Sequence, residues 1–358
     1  MKPRSIFALI FGLLLLASCS FAQQFTFVAI DVQCDAGSSL SACPAGIAPG
    51  GAASSTWASG IGPSGRIVGG YMGSLDGLEH GYIYDRGKFT TIDAPGSLVG
   101  LSDDVKLETE VNGINPAGDM VGDYFARPGD PGAPACVIAH SPPCDRGFLY
   151  KHGQFYSILI PNGPNSTHFG SIPSSITPDG SIYGCLHDQN LTSTMFGFVR
   201  SHSGDFKTLE AGGGEVADPT KAYIRSMNNA ATPDGSIIVG LYFPPSATRA
   251  HGFIVQDGIL ADYMFPGSLA TQIWGINPNA DFVGIYRDHA SGQFAVHGFL
   301  QPGDGSPAVP INYTDPVTQA EAVLTEALGI NPAGAIVGLY LDSNGGEHGF
   351  LAVQVTNN

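Results

Sequence analysis

The segment GINPAGAIVGLYLDSNGGEHGFL, residues 329–351, constrains the fold most, because much of the remaining chain repeats it imperfectly. A Pro-containing turn (Asn331, Pro332, Ala333, Gly334) precedes a β-branched run closed by Gly338, and a polar loop then leads to His348, Gly349 and Phe350. Such a pattern reads as strand, turn, strand, loop, strand. Six copies of the turn and second strand align: GIGPSGRIVGGY, GINPAGDMVGDY, SITPDGSIYGCL, ATPDGSIIVGLY, GINPNADFVGIY and GINPAGAIVGLY. Their closing glycines are Gly69, Gly122, Gly184, Gly240, Gly284 and Gly338, spaced 53, 62, 56, 44 and 54 residues apart. A third-strand tripeptide follows in step at His80, Arg146, Phe196, His251, His297 and His348, each succeeded by Gly and an aromatic residue. Self-similarity at this period implies a solenoid or a propeller.

A fourth strand completes most units, as in GKFTTIDAPG, GQFYSILIP, GDFKTLEAG and DGILADYMFPG, and four short strands per unit make a meander blade. The last copy has no room for one, because HGFLAVQV runs almost to the C-terminus. Its counterpart stands alone at the other end: FTFVAID, residues 25–31, resembles FTTID at 89–93. Placing that N-terminal strand as the outer strand of the sixth blade closes the ring and leaves no bare edge there. The sequence therefore predicts an all-β, six-bladed β-propeller of four-stranded antiparallel blades, with residues 23–358 forming one domain.

At GIN, IVG and HGF the repeat resembles that of the bacterial extracellular HAF repeat proteins, named for a His-Ala-Phe tripeptide; here the middle residue is Gly in every copy. The resemblance covers about residues 60–353 plus the N-terminal strand. It implies an extracellular location and a repeat type, and carries over no catalytic residue.

Residues 1–22 read as a signal peptide. Lys2 and Arg4 precede an apolar run from Ile6 to Ala17, and Ser20 and Ala22 place small residues before a cleavage site at Gln23. An alternative is a lipobox at Leu16, Ala17, Ser18 and Cys19, which would anchor the protein through a lipid on Cys19. No later apolar stretch is long enough to span a bilayer as a helix, so no transmembrane segment is expected in the mature chain. Without Lys2 and Arg4, 13 basic residues face 31 acidic ones, a net charge near −18 before histidine. Such a surface repels nucleic acid and anionic lipid. Only 13% of residues are charged, while Gly numbers 49 and Pro 26, a composition of many turns.

Cys34 with Cys43, and Cys136 with Cys144, are close enough in sequence to staple loops as disulfides in an oxidising compartment. Cys185 occupies a strand position where other copies carry an aliphatic residue, which predicts a buried free thiol. The column His80, His251, His297 and His348 is read as structural, bridging strands or loops through both ring nitrogens, rather than as a metal site. The Tyr column, Tyr71, Tyr124, Tyr242, Tyr286 and Tyr340, with Leu186 in its place once, is read as packing between blades. Candidate binding residues are Asp188, Asp288 and Asp342, which follow the second strand, and His289 beside one of them; variable loops on a rigid repeat are where sites are built.

No zinc, EF-hand, nucleophile-elbow or phosphate-loop motif occurs in the sequence, and no cofactor is expected. Two functions follow. In the first, the protein is a secreted, non-catalytic, monomeric propeller binding a polysaccharide, an envelope component or a protein through one loop face. The alternative is an extracellular carbohydrate-active hydrolase or lyase using loop carboxylates, since such chemistry needs only two acids at the right separation.

Overall fold

The computed structural model describes residues 25–125, 145–158, 170–187, 195–209, 226–244, 247–288 and 295–355. The signal-peptide reading and Cys19, the pair Cys136 and Cys144, and the candidates Asp188 and His289 lie outside the described residues.

Strand β1 (Phe25–Ile30) comes first. Blade 1 comprises β2 (Ser55–Ile61), β3 (Ile67–Met72), β4 (Glu79–Asp85) and β5 (Lys88–Ile92). Blade 2 comprises β6 (Glu108–Ile114), β7 (Met120–Phe125), β8 (Asp145–Lys151) and β9 (Gln154–Ser157). Blade 3 runs through β10 (Gly170–Ile176), β11 (Ile182–His187), β12 (Met195–Arg200) and β13 (Phe206–Leu209). Blade 4 contains β14 (Ser226–Ala231), β15 (Ile237–Tyr242), β16 (His251–Gln256) and β17 (Ile259–Tyr263). Blade 5 contains β18 (Ala270–Ile276), β19 (Phe282–Asp288), β20 (Ala295–Gln301) and β21 (Val309–Ile311). The last blade has β22 (Leu324–Ile330), β23 (Ile336–Leu341) and β24 (Glu347–Gln354), with β1 paired antiparallel on the outside of β24 from Phe25 opposite Gln354 to Ile30 opposite Gly349. The described strands thus form six four-stranded antiparallel sheets, and the expected six-bladed propeller with its N-terminal closing strand is the fold.

Each repeat motif has a steric reason. The innermost strand of every blade bulges before its last residues, at Ala58/Gly60, Val111/Gly113, Pro173/Ser175, Asn228/Ala230, Ile273/Gly275 and Ala327/Gly329. A Cβ on the facing second-strand glycine, from Gly69 through Gly338, would overlap the inner-strand carbonyl oxygen of Trp57, Glu110, Ile172, Met227, Gln272 or Glu326. The third-strand aromatic residues Tyr82, Phe148, Phe198, Phe253, Phe299 and Phe350 are all at most 2% exposed. The glycine before each approaches neighbouring backbone or the next blade; a Cβ on Gly81 would stand 2.9 Å from Val111 Cγ2.

Between blades, a buried hydroxyl on the inner strand accepts a backbone N–H from the preceding blade or the segment leaving it. Thr56 accepts from Val32, Thr109 from Ala94, Ser171 from Gly147, Ser226 from Gly197, Thr271 from Phe265 and Thr325 from Tyr313, at 2.9 to 3.3 Å. The Tyr column does pack between blades in two places: Phe265 stacks on Tyr286 at 3.9 Å and Tyr313 on Tyr340 at 3.5 Å between ring centroids. Ring closure has the same apolar character, since Phe27 packs on both Tyr313 and Phe350. At the opposite end, the Asn of the Asn-Pro turn accepts two local N–H groups. Its amide reaches the next turn in two blades, Asn115 to the Thr177 carbonyl and Asn277 to the Asn331 carbonyl, each at 3.4 Å.

The disulfide Cys34–Cys43 is formed, and Cys185 is a buried thiol outside any disulfide. The sequence reading did not place β21, a three-residue fourth strand with Pro310 at its centre.

The turns end in glycines of positive φ, Gly65, Gly118, Gly180, Gly235 and Gly334, except in blade 5, where Ala280 takes φ 61°. Left-handed backbone costs an L-residue about 1–2 kcal/mol, partly offset by the greater unfolded-state freedom of glycine. Ala280→Gly is therefore expected to stabilise the protein by about 0.5–1 kcal/mol in urea denaturation. Phe350→Ala should cost about 3–5 kcal/mol. Deleting residues 23–32 removes β1 and bares the edge of β24; loss of the single cooperative transition is expected, and a melt like that of the parent would contradict closure by this strand.

Candidate functional site

Antiparallel pairing places the loops between second and third strands at the same end of the ring as the segments leading to the next blade. At this end four of the five repeat tyrosines stand directly across from a His, Tyr71 from His80, Tyr242 from His251, Tyr286 from His297 and Tyr340 from His348, while Tyr124 faces Arg146. The histidines are tied down. His80 contacts Asp93 through Nδ1 at 2.9 Å and Asp76 through Nε2 at 3.2 Å; His251 contacts Asp262 at 2.8 Å. His297 lies between Asn312 (2.8 Å) and Asp288 (3.5 Å), and His348 between Asp31 (2.9 Å) and Asp342 (3.7 Å). The candidates Asp288 and Asp342 thus adjoin the His column, and Asp342 Oδ1 also accepts the N–H groups of Asn344 and Gly346, capping its own loop. Turn hydrogen bonds hold the Asp342 carboxyl below its ordinary range. Burial alone would lower the His80 pKa, but Asp93 and Asp76 outweigh it and raise the net value. With both ring nitrogens on carboxylates, the protonated ring of His80 is favoured, since it can donate to each.

A different set of side chains, absent from the sequence reading, lines the centre of the ring. Inner strands present Trp57, Glu110, Ile172, Met227 and Glu326 at one repeat position, and Ser59, Asn112, Ser174, Trp274 and Leu328 two residues on. Together with Cys185, Met195, Leu339 and Glu347 they enclose a cavity of about 570 Å3. Trp57 Nε1 donates to Glu110 at 2.6 Å and Ser59 Oγ donates to the same oxygen at 3.1 Å, joining blades 1 and 2. The Trp57 ring lies against Gly70, the second-strand position occupied elsewhere by Asp123, Cys185, Leu241, Ile285 and Leu339.

Carboxylates gather on one side. Glu79, Glu110, Asp123, Asp145, Glu326 and Glu347 belong to blades 6, 1 and 2. Burial, followed by repulsion from Glu110 and its neighbours, raises Glu79 to about 9 and puts Asp123 far above its ordinary range. Burial raises Asp145 to about 7 although Arg146 acts against it. Glu326 and Glu347 are raised by burial too, opposed respectively by Arg287 and His348. Blades 3, 4 and 5 contribute no carboxylate to the cavity wall among the described residues, presenting Ile172, Ser174, Cys185, Met195, Met227 and Trp274. Trp274 Nε1 and Ser174 Oγ, both on the cavity wall, are buried without a hydrogen-bond partner among the described residues, as is Asp145 Oδ1 on a residue only 5% exposed. Among the described residues no three His, Cys, Asp or Glu side chains converge closely enough to hold a metal ion, and no helix is long and apolar enough to cross a membrane.

The fold and this axial cavity define a six-bladed propeller with a polarised centre. No family model and no curated protein matches the sequence. Similar solved structures include a prolyl endopeptidase (12% identity, TM-score 0.45), which covers 84% of this chain while the chain spans 42% of the endopeptidase. The Trypanosoma rangeli sialidase in complex with the inhibitor DANA shares 7% identity, covers 92% of this chain and 59% of its own, and has a TM-score of 0.49. The β-propeller domain of the trilobed protease from Pyrococcus furiosus shares 8% identity over 85% of this chain and 97% of its own, with a TM-score of 0.43.

The raised carboxyls bind more protons in the folded than in the unfolded state. Stability must then fall as pH rises through that interval, and loss of the His80 imidazolium acts in the same direction. Urea denaturation should show declining stability from the ordinary carboxyl range near 4.5 up to about 9, with Glu79→Gln and Asp123→Asn flattening the decline. A flat profile in the parent would show that these groups are not buried together.

Proposed function

We propose that this is a secreted, non-catalytic propeller of the HAF-repeat type that binds a polysaccharide, an envelope component or a protein at its loop face, with the axial cavity as the seat of the ligand. The observation that carries this reading is the cavity itself. Its volume falls in the range of small-molecule sites, its wall is part aromatic and part anionic, and two of its polar atoms have no partner in the described protein. The His column and the capped Asp342 work against a catalytic role for that girdle, because their polar atoms are engaged with one another. The formed disulfide is compatible with an oxidising, extracellular location.

One observation favours hydrolysis as a second reading: burial brings Asp145 to about 7, where a carboxyl serves as general acid or base near neutrality. A single experiment separates the two. The purified chain is incubated with soluble and insoluble polysaccharides and cell-envelope fractions, and protein depletion is measured together with newly released reducing or unsaturated ends. Depletion without products is expected, and it should weaken at least about tenfold in Leu339→Trp, which fills the cavity. Products absent from a heat-inactivated control, and abolished by Asp145→Asn, would instead establish the hydrolase or lyase.

A further inference from the structure

We propose that the axial cavity holds a cationic amino sugar, with its ammonium group beside Glu326 and Glu347 and its ring against the indoles of Trp57 and Trp274. This rests on the reading of the cavity as the ligand seat and adds the chemical class that fits it.

Three features of the wall converge on that class. The first is charge. Glu326 and Glu347 share a blade and line the cavity with Glu110; Glu347 repels Glu326, and burial leaves water little capacity to screen the pair. A bound ammonium ion relieves that repulsion and gains from the low local dielectric. The acids are spread along the wall instead of converging on one point, which suits a cation carried on an extended organic frame better than a bare metal ion.

The second feature is the aromatic pair. Both tryptophans are partly exposed and line the cavity. Trp57 is fixed on Gly70 and by its hydrogen bond to Glu110, so its position does not depend on a ligand. Aromatic faces take the C–H face of a sugar ring by dispersion and attract a nearby cation through the ring quadrupole.

The third feature separates an amino sugar from a simple alkylamine. Trp274 Nε1 is a donor and needs an acceptor; Ser174 Oγ can donate or accept. An aliphatic ammonium ion supplies donors alone, whereas a sugar brings hydroxyl oxygens that accept from the indole and exchange hydrogen bonds with the serine. Leaving buried polar groups unpaired is costly, so a ligand bearing both a cation and hydroxyls satisfies this wall where either alone would not.

The test compares two probes on one sugar backbone, ammonium in one and acetamide in the other: the glucosamine trisaccharide, fully deacetylated, and its tri-N-acetyl counterpart. Each is titrated into the full-length protein near neutral pH and followed by tryptophan fluorescence and calorimetry. The deacetylated probe should bind at least about tenfold more tightly, equivalent to roughly 1.4 kcal/mol. Glu326→Gln and Glu347→Gln should each erase most of that preference while leaving the acetylated probe unchanged, and Trp274→Phe should weaken both. Melting curves verify that the Gln variants are folded.

Equal or tighter binding of the acetylated probe would overturn the inference, as would Gln variants that keep the preference. Should neither trisaccharide bind while a ligand from the polysaccharide panel does, and Leu339→Trp blocks that ligand, the amino-sugar inference falls and the cavity remains the seat. If Leu339→Trp leaves panel binding untouched, the cavity reading itself falls.

Discussion

The close approach of a bulged inner strand to a glycine on the second strand shapes every blade. A bulge adds a residue and increases local twist, and the displaced carbonyl then needs space that only a missing Cβ provides. That vacated surface is covered by the aromatic residue of the third strand, which is why the glycine and the aromatic recur together in all six copies. Inner-strand side chains two residues apart, such as Glu110 and Asn112, share one side of the strand and line the cavity.

Around the ring, contact between blades combines polar hooks with apolar faces. Six Thr or Ser hydroxyls fix the inner strands to what precedes them, and each is buried, so losing one would leave an N–H without a partner. Where the segment leaving a blade carries an aromatic residue, as at Phe265 and Tyr313, it stacks on the repeat Tyr of the next blade. His80, His297 and His348 stack on their tyrosines, and the ends of fourth strands supply Asn312 to His297 and an acid to His80 and His348. For His348 that acid is Asp31, 317 residues away, so closure of the ring completes the last polar pair as well as the last sheet.

The fold was legible because its determinants are local and recur. A turn of fixed chemistry, a glycine-closed strand and an aromatic tripeptide identify the blade, and FTFVAID could be matched to the missing sixth outer strand by its likeness to FTTID. Strand β21 was missed because VPI is short, contains Pro and follows a loop, giving no alternation to read. The cavity was missed for a different reason. Its residues occupy inner strands whose sequences, TWASGI, TEVNGI, SIPSSI, SMNNAA, TQIWGI and TEALGI, share little beyond a leading hydroxyl. Their common orientation follows from register and bulge position, and their acids meet only because blades 6, 1 and 2 are adjacent in a closed ring.

That adjacency explains why the cavity is polarised instead of sixfold. Repeats conserve what each blade needs to fold, and the positions facing the axis are released from that requirement, because neither the bulge glycine nor the hydroxyl hook depends on them. Substitutions there accumulate without breaking the blade, up to the point where they bury like charges together. Five carboxyls held up by burial, Glu79, Asp123, Asp145, Glu326 and Glu347, oppose folding as pH rises, and nothing in blade architecture calls for them. A wall that works against stability, next to two partly exposed indoles and two unpartnered polar atoms, has the character of a binding surface, where local cost is retained for what it holds.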